Sequence, residues 1–146
     1  MSYGQIIGAR VPSGFAGEIA RGEFDYTSET RVNDASKPVK AFGIPVKLTS
    51  TGAVTPVTAA ADAVFGFSIR IYGQADMAGA QAEKAIPVLR RGYLFVKAAG
   101  TPAAGGQVYL ATDGSLTAEK STNTALAGAQ FVNAADNGVV EIAYNI

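Results

Sequence analysis

In the stretch VFGFSIRIY (64–72), Phe65, Phe67, Ile69 and Ile71 take every second position. A period of two puts these four apolar side chains on one face of an extended chain, with Gly66, Ser68 and Arg70 on the other. A helix, with its period of 3.6, would scatter them. The same alternation runs through Phe42, Ile44, Val46 and Leu48, and through Val140, Ile142, Tyr144 and Ile146 at the end of the chain. Such segments must bury one face and need several partner strands to do so.

Turn residues punctuate the chain at the spacing this requires. Ser50-Thr51-Gly52 closes the strand Phe42–Leu48, whose Pro45 places it at a sheet edge or a bulge. Ala53–Val57 returns from that turn, and the Ala-rich Thr58–Ala63 reads as one helical turn. Gly73–Glu83 is a loop of small residues. Lys84–Arg90 and Tyr93–Lys97 are almost continuously apolar, which predicts two strands covered on both faces around an Arg91-Gly92 turn. A Gly/Pro loop at 100–106 leads to a strand at Gln107–Ala111. Asp113-Gly114 is a hairpin signal before Leu116-Thr117. A polar loop at 119–125, a strand at Ala127–Val132, an Asn137-Gly138 turn and a last strand at Val139–Ile146 complete the series. The expectation is an all-β fold, a single compact β-barrel or β-sandwich of about eight or nine short strands.

Residues 1–40 follow a different rule. Gly4, Gly8, Gly14, Gly17 and Gly22 interrupt any periodic segment, and each would cost a helix about 1 kcal/mol relative to alanine. Yet Phe15, Ile19, Phe24 and Tyr26 are too many large apolar groups for a solvated tail. Residues 1–40 therefore read as an extended N-terminal arm, docked on its own body or on a neighbouring subunit, and residues 41–146 as the β-barrel or sandwich domain. Deletion of residues 1–26 is expected to leave that domain folded.

Composition removes most chemistry. The chain of 146 residues contains no histidine, cysteine or tryptophan. That excludes disulfides, thiolate nucleophiles, Cys/His zinc sites, and every Ser-His or Cys-His mechanism. No Walker loop, dinucleotide fingerprint or nucleophile elbow occurs. Glu23 and Asp25 share strand parity but sit in the Gly-rich arm, where a solvated pair is the simpler reading than glycoside chemistry. Asp113 and Asp136 lie at turns, whose backbone they can hydrogen-bond without a calcium ion. The reading is a protein with no catalytic residues, no cofactor and no metal.

Charge is informative in the same way. Lys plus Arg and Asp plus Glu are 12 each, and charged residues are 16% of the chain. Zero net charge argues against binding nucleic acid or an anionic membrane. The start MSYGQIIGAR is unlike a secretory signal, and no apolar run is long enough to span a bilayer. So few charges leave a free domain poorly protected against association, and two readings follow: an ordinary soluble domain rich in Ala and Gly, or a chain covered by partners in an assembly. Residues 84–97 hold Lys84, Arg90, Arg91 and Lys97 without an acid, while 98–146 hold Lys120 against Asp113, Glu119, Asp136 and Glu141. These two segments could pair within or between subunits. Arg90-Arg91-Gly92-Tyr93 interleaves base and aromatic, but a hairpin tip facing water or an acidic partner is the simpler reading.

The segments FGIPV (42–46), VFGFSIR (64–70), IPVLRRGYLFVK (86–97), PAAGGQVYLATDGSLT (102–117) and NGVVEIAYN (137–145) stand in an order that resembles the structural cement proteins of tailed bacteriophages. GFAGEIARG (14–22) is similar to that family's N-terminal arm. The resemblance implies a capsid decoration protein that binds the outside of the head and staples neighbouring major capsid subunits. It implies a homo-oligomer on local symmetry axes, with a dimer favoured and a trimer as the alternative. It places the protein on the outer capsid surface of a virion assembled in bacterial cytoplasm. Phe15, Ile19, Phe24, Tyr26, Arg90 and Arg91 are the expected capsid or oligomer contacts. The competing reading is another virion or cell-surface β-module, a tail or fibre component or a glycan-binding module.

Overall fold

The computed structural model describes residues 14–22, 25–71 and 82–146. Phe24 and nearly all of the Gly73–Glu83 loop lie outside the described residues. Among the described residues there are nine strands: β1 (Thr27–Val32), β2 (Pro45–Leu48), β3 (Val54–Pro56), β4 (Gly66–Ser68), β5 (Ala85–Lys97), β6 (Gln107–Leu110), β7 (Leu116–Thr117), β8 (Thr124–Phe131) and β9 (Val139–Tyr144). They form one sheet in the order β3-β2-β4-β5-β9-β8-β6-β7, with β1 paired to β5, and every strand pairing is antiparallel. Isolated parallel bridges Asn33↔Val54 and Ala99↔Thr117 curl each half of the sheet back towards itself. The all-β expectation and the strand number hold.

The main departure concerns β5. The two strands expected around an Arg91-Gly92 turn are one continuous strand of 13 residues. At roughly 3.3 Å per residue it is about 40 Å long, enough to serve both halves of the sheet. Its first half pairs with β1 and β4, and its second half with β9. The glycine has another purpose than a turn. A Cβ at Gly92 would strike Tyr26, whose backbone passes directly over it. Arg90 and Arg91 are thus at mid-strand and not at a hairpin tip.

Smaller differences have local causes. Of the expected strand 64–72, whose last residue lies outside the described ones, Gly66–Ser68 is the regular part among the described residues. Its neighbours continue through single backbone bonds, Phe65 N–H to the Val46 carbonyl (2.8 Å) and Ile69 N–H to the Pro87 carbonyl (3.1 Å). Both faces of β4 are covered, because Ser68 is buried as fully as Phe67. Its hydroxyl donates to the Ala41 carbonyl at 2.8 Å, so the polar face is tied to the neighbouring backbone. β2 lies between β3 and β4 and is not an edge; Pro45 is tolerated because it opens the strand. Strand β8 starts at Thr124, inside the expected polar loop. Thr27–Val32, expected in the arm, forms β1.

Two turns follow the sequence closely. Asp113-Gly114 connects β6 to β7, with the Asp113 carboxylate accepting from the Ser115 N–H (3.0 Å) and hydroxyl (2.7 Å). Asn137 and Gly138 both have positive φ (53° and 77°), the requirement of a tight two-residue hairpin.

The buried apolar side chains form two clusters. The larger includes Phe67, Leu89, Leu94, Val96, Leu110, Phe131, Ile142 and Tyr144. The smaller comprises Val39, Phe42, Val46, Val54, Ile86 and Val88. β5 contributes to both clusters. Every member of either cluster lies at or after Val39, so the arm adds only partly buried groups to the core.

At Thr58–Ala63 the expected helical turn is a single hydrogen-bonded turn, with Asp62 N–H donating to the Ala59 carbonyl (3.2 Å), and it is organised by one carboxylate. Asp62 accepts from Lys47 Nζ (2.8 Å) and from the backbone N–H groups of Thr58 (3.0 Å) and Ala59 (3.1 Å). The Lys47 ammonium and these two amides hold the Asp62 carboxyl below the usual carboxylate range. A lowered native pKa stabilises the fold above the unfolded value, about 3.9, and that contribution is lost as pH falls through the native value. Asp62→Asn is therefore expected to lower the melting temperature at neutral pH and to flatten its decline below about pH 4. Melting curves of both proteins taken down an acid series measure this directly.

Candidate interaction surface

The described part of the arm, residues 14–22, lies along the second half of β5. Gly17 N–H donates to the Phe95 carbonyl (2.7 Å), Phe95 N–H to the Glu18 carbonyl (3.0 Å) and Ala20 N–H to the Tyr93 carbonyl (2.9 Å). Ile19 bridges Leu94 and packs on the larger core cluster. Of the two docking sites considered for the arm, its own body is the one occupied by these residues.

A glycine pair makes this approach close. Gly17 and Gly43 both have positive φ (85° and 71°). A Cβ on Gly43 would collide with the Gly17 amide, and one on Gly17 with Phe42 and Gly43. The Gly17 carbonyl accepts from Arg70 N–H at 2.7 Å, and Gly43 N–H donates to the Ser68 carbonyl at 2.7 Å. Gly43→Ala adds left-handed strain of about 1–2 kcal/mol and overpacking of about 1–3 kcal/mol. The expected loss is about 2–5 kcal/mol in urea unfolding, with faster tryptic cleavage after Arg21 as the arm lifts.

The five described candidate residues divide into three places. Phe15 is 57% exposed and shares a small hollow of about 280 Å³ with Glu18, Ile19, Ile69 and Arg70. Tyr26 is half-buried over Gly92, beside the exposed Arg91, whose strand partner is Thr27. Arg90 is half-buried elsewhere. Its guanidinium lies 3.7 Å from the Phe65 ring centroid, and Nη1 donates to Glu29 Oε1 at 3.4 Å. Glu29 also receives Arg31, whose guanidinium takes up a position 5.1 Å from the same ring. Phe24 lies outside the described residues. Ile19, Tyr26 and Arg90 therefore hold the arm and β1 to the body, while Phe15 and Arg91 present themselves to solvent.

The structure also assembles a groove that no sequence pattern announced. It encloses about 560 Å³ between the arm, the 40–45 segment and the Asp113-Gly114 turn. Phe15, Phe42 and Ile44 supply apolar surface, and Lys40, Arg70 and Lys97 supply charge. Arg70 extends across both rings, 5.4 Å from the Phe15 centroid and 5.3 Å from that of Phe42. The lining comes from seven separate parts of the chain, so only the Arg70 position, opposite in parity to Phe67 and Ile69, could have hinted at it. Among the described residues no group of three or more acids converges as a metal site would require.

Comparison with known proteins bears on this surface. A family model described as "Structural cement protein (E217 gp24/Pam3 gp6)" matches residues 3–145. No curated protein matches the sequence. Among solved structures, a chain from "The capsid of Myoviridae Phage XM1" superposes with a TM-score of 0.69 at 18% identity, covering 99% of this chain and 98% of that one. At that identity the likeness is one of fold.

Proposed function

From its membership of the phage structural cement protein family, which makes this chain a capsid-stabilising structural virion protein, we propose that it binds the outer face of the head and bridges neighbouring copies of the major capsid protein. The family match over residues 3–145 carries this reading. The physical features agree with it. A curled sheet with its core in two clusters is a rigid body suited to holding other subunits in fixed relation. Its role is mechanical and requires no catalytic group.

A staple of this kind works through several weak contacts. Once one contact forms, the others form at high effective concentration, so each needs only modest affinity. A protein that binds the assembled shell and not its dissociated subunits stabilises the shell by linkage. Phe15 and Arg91 are the members of the candidate set exposed for such contacts. Ile19, Tyr26 and Arg90 act by fixing the surface that carries them. Two-fold pairing of copies is the simplest closed arrangement for the protein itself.

Quantitative mass spectrometry of purified particles tests the reading. Copy numbers comparable to the major capsid protein are expected. A handful of copies per particle would move the protein to the tail or portal, and absence from particles would refute a virion role.

A further inference from the structure

We infer that the groove between the arm and the body receives an extended acidic segment of the shell protein, with an apolar side chain seated between Phe15 and Phe42 and carboxylates meeting Lys40, Arg70 and Lys97. This rests on the cement reading and assigns the surface by which the staple grips.

The charge pattern is the first argument. Among the described residues, Lys40, Arg70 and Lys97 make no ion pair. The acid of the lining, Asp113, is already occupied by the Ser115 N–H and hydroxyl. Three cations thus stand around an apolar floor with no described acid paired to them. Arg70 is held in place by the two aromatic rings, so its planar fork is pre-organised for a carboxylate. A groove with an apolar floor and a cationic rim complements an extended chain that alternates apolar and acidic groups.

The second argument decides between a copy of this chain and a foreign one. Most of the acids here are engaged within the subunit. Glu29 serves Arg31 and Arg90, Asp62 serves Lys47, and Glu141 serves Arg21. Asp34 accepts from the Ser36 and Lys37 amides, and Glu18 from the Phe15 amide. Among the described acids, Asp25, Glu83 and Glu119 stand outside these bonds, and they lie on three separate parts of the chain, so a second copy offers no one extended segment carrying several unengaged acids. A separate chain bringing its own acids is not so limited. Nucleic acid fits less well, since the floor between the cations is apolar and the net charge is zero.

The test uses heads of the encoding phage that lack this protein, to which purified full-length variants are added. Lys40→Glu/Lys97→Glu reverses two rim charges at exposed positions. It is expected to weaken binding at least about tenfold and to reduce the salt dependence of what remains. Lys84→Glu/Lys120→Glu makes the same net change outside the groove and is expected to bind nearly as the wild type does. If the wild type binds and both double variants bind equally well, or lose binding equally, the groove assignment is overturned while the cement reading stands. If the wild type does not bind, both fall. A photo-crosslinking benzoylphenylalanine in place of Phe15 gives a second readout. A crosslink to an Asp/Glu-bearing peptide of the shell protein is expected; a crosslink to another copy of this chain or to nucleic acid would overturn the assignment.

Discussion

Phe67→Ala is expected to cost about 3–5 kcal/mol, the range for removing a fully buried phenylalanine. For a chain of this size that corresponds to a fall in melting temperature of about 6–20 °C. Phe67 is fully buried. Its ring meets that of Tyr144 edge to face, with centroids 5.0 Å apart and planes at 84°. β4 pairs with β5 through Phe67↔Leu89, while Tyr144 belongs to β9, paired to the other half of β5. The Phe67–Tyr144 contact thus ties the two halves of the sheet together across their shared strand. A cavity there removes dispersion contacts from both sides and cannot collapse without moving β5. Calorimetry of the purified variant measures the effect. A change below about 1 kcal/mol, the size of an ordinary surface substitution or a little more, would show that the two halves do not depend on this contact.

The second large effect concerns binding. Deletion of residues 1–26 is expected to leave a cooperatively melting β-protein that no longer associates with heads. The structure gives the first part a basis that the sequence lacked: no member of either core cluster precedes Val39, and the cut leaves β1 whole. The truncation does expose the Tyr93 and Phe95 backbone groups and removes Ile19 and Tyr26 from the core's margin, so a lower melting temperature is expected. The loss of binding follows from the removal of Phe15 and one wall of the groove. Because several contacts act together, losing one is amplified in the overall avidity. Circular dichroism and sedimentation with heads read the two parts separately. An unfolded truncation would make the arm part of the core; a folded one that still binds would free the arm of any role in gripping.

How far the sequence led depended on how local the determining interaction was. The period-two runs and the Asp-Gly and Asn-Gly turns are determined within a few residues, and β6–β7 and the turn before β9 formed as expected. Arg91-Gly92 misled for an instructive reason. A glycine between two apolar runs reads as a turn, yet here it makes room for Tyr26, more than 60 residues earlier. Likewise the arm's extended character was legible from its glycines, but not that Gly17 would meet Gly43. Thr27–Val32, with Thr, Ser, Glu and Arg at five of its six positions, carries no apolar alternation; β5 makes it a strand. Phe15 was legible as an unpartnered aromatic, whereas its companions Lys40, Arg70 and Lys97 are brought together only by the tertiary fold.

The central claim is that this protein stabilises a phage head by bridging its subunits. The most direct measurement is the thermal disruption of heads lacking the protein, before and after it is added back to saturation. The account predicts that the disruption temperature rises with occupancy and levels off when the lattice sites are filled. A protein that binds the heads to saturation and leaves that temperature unchanged would contradict it.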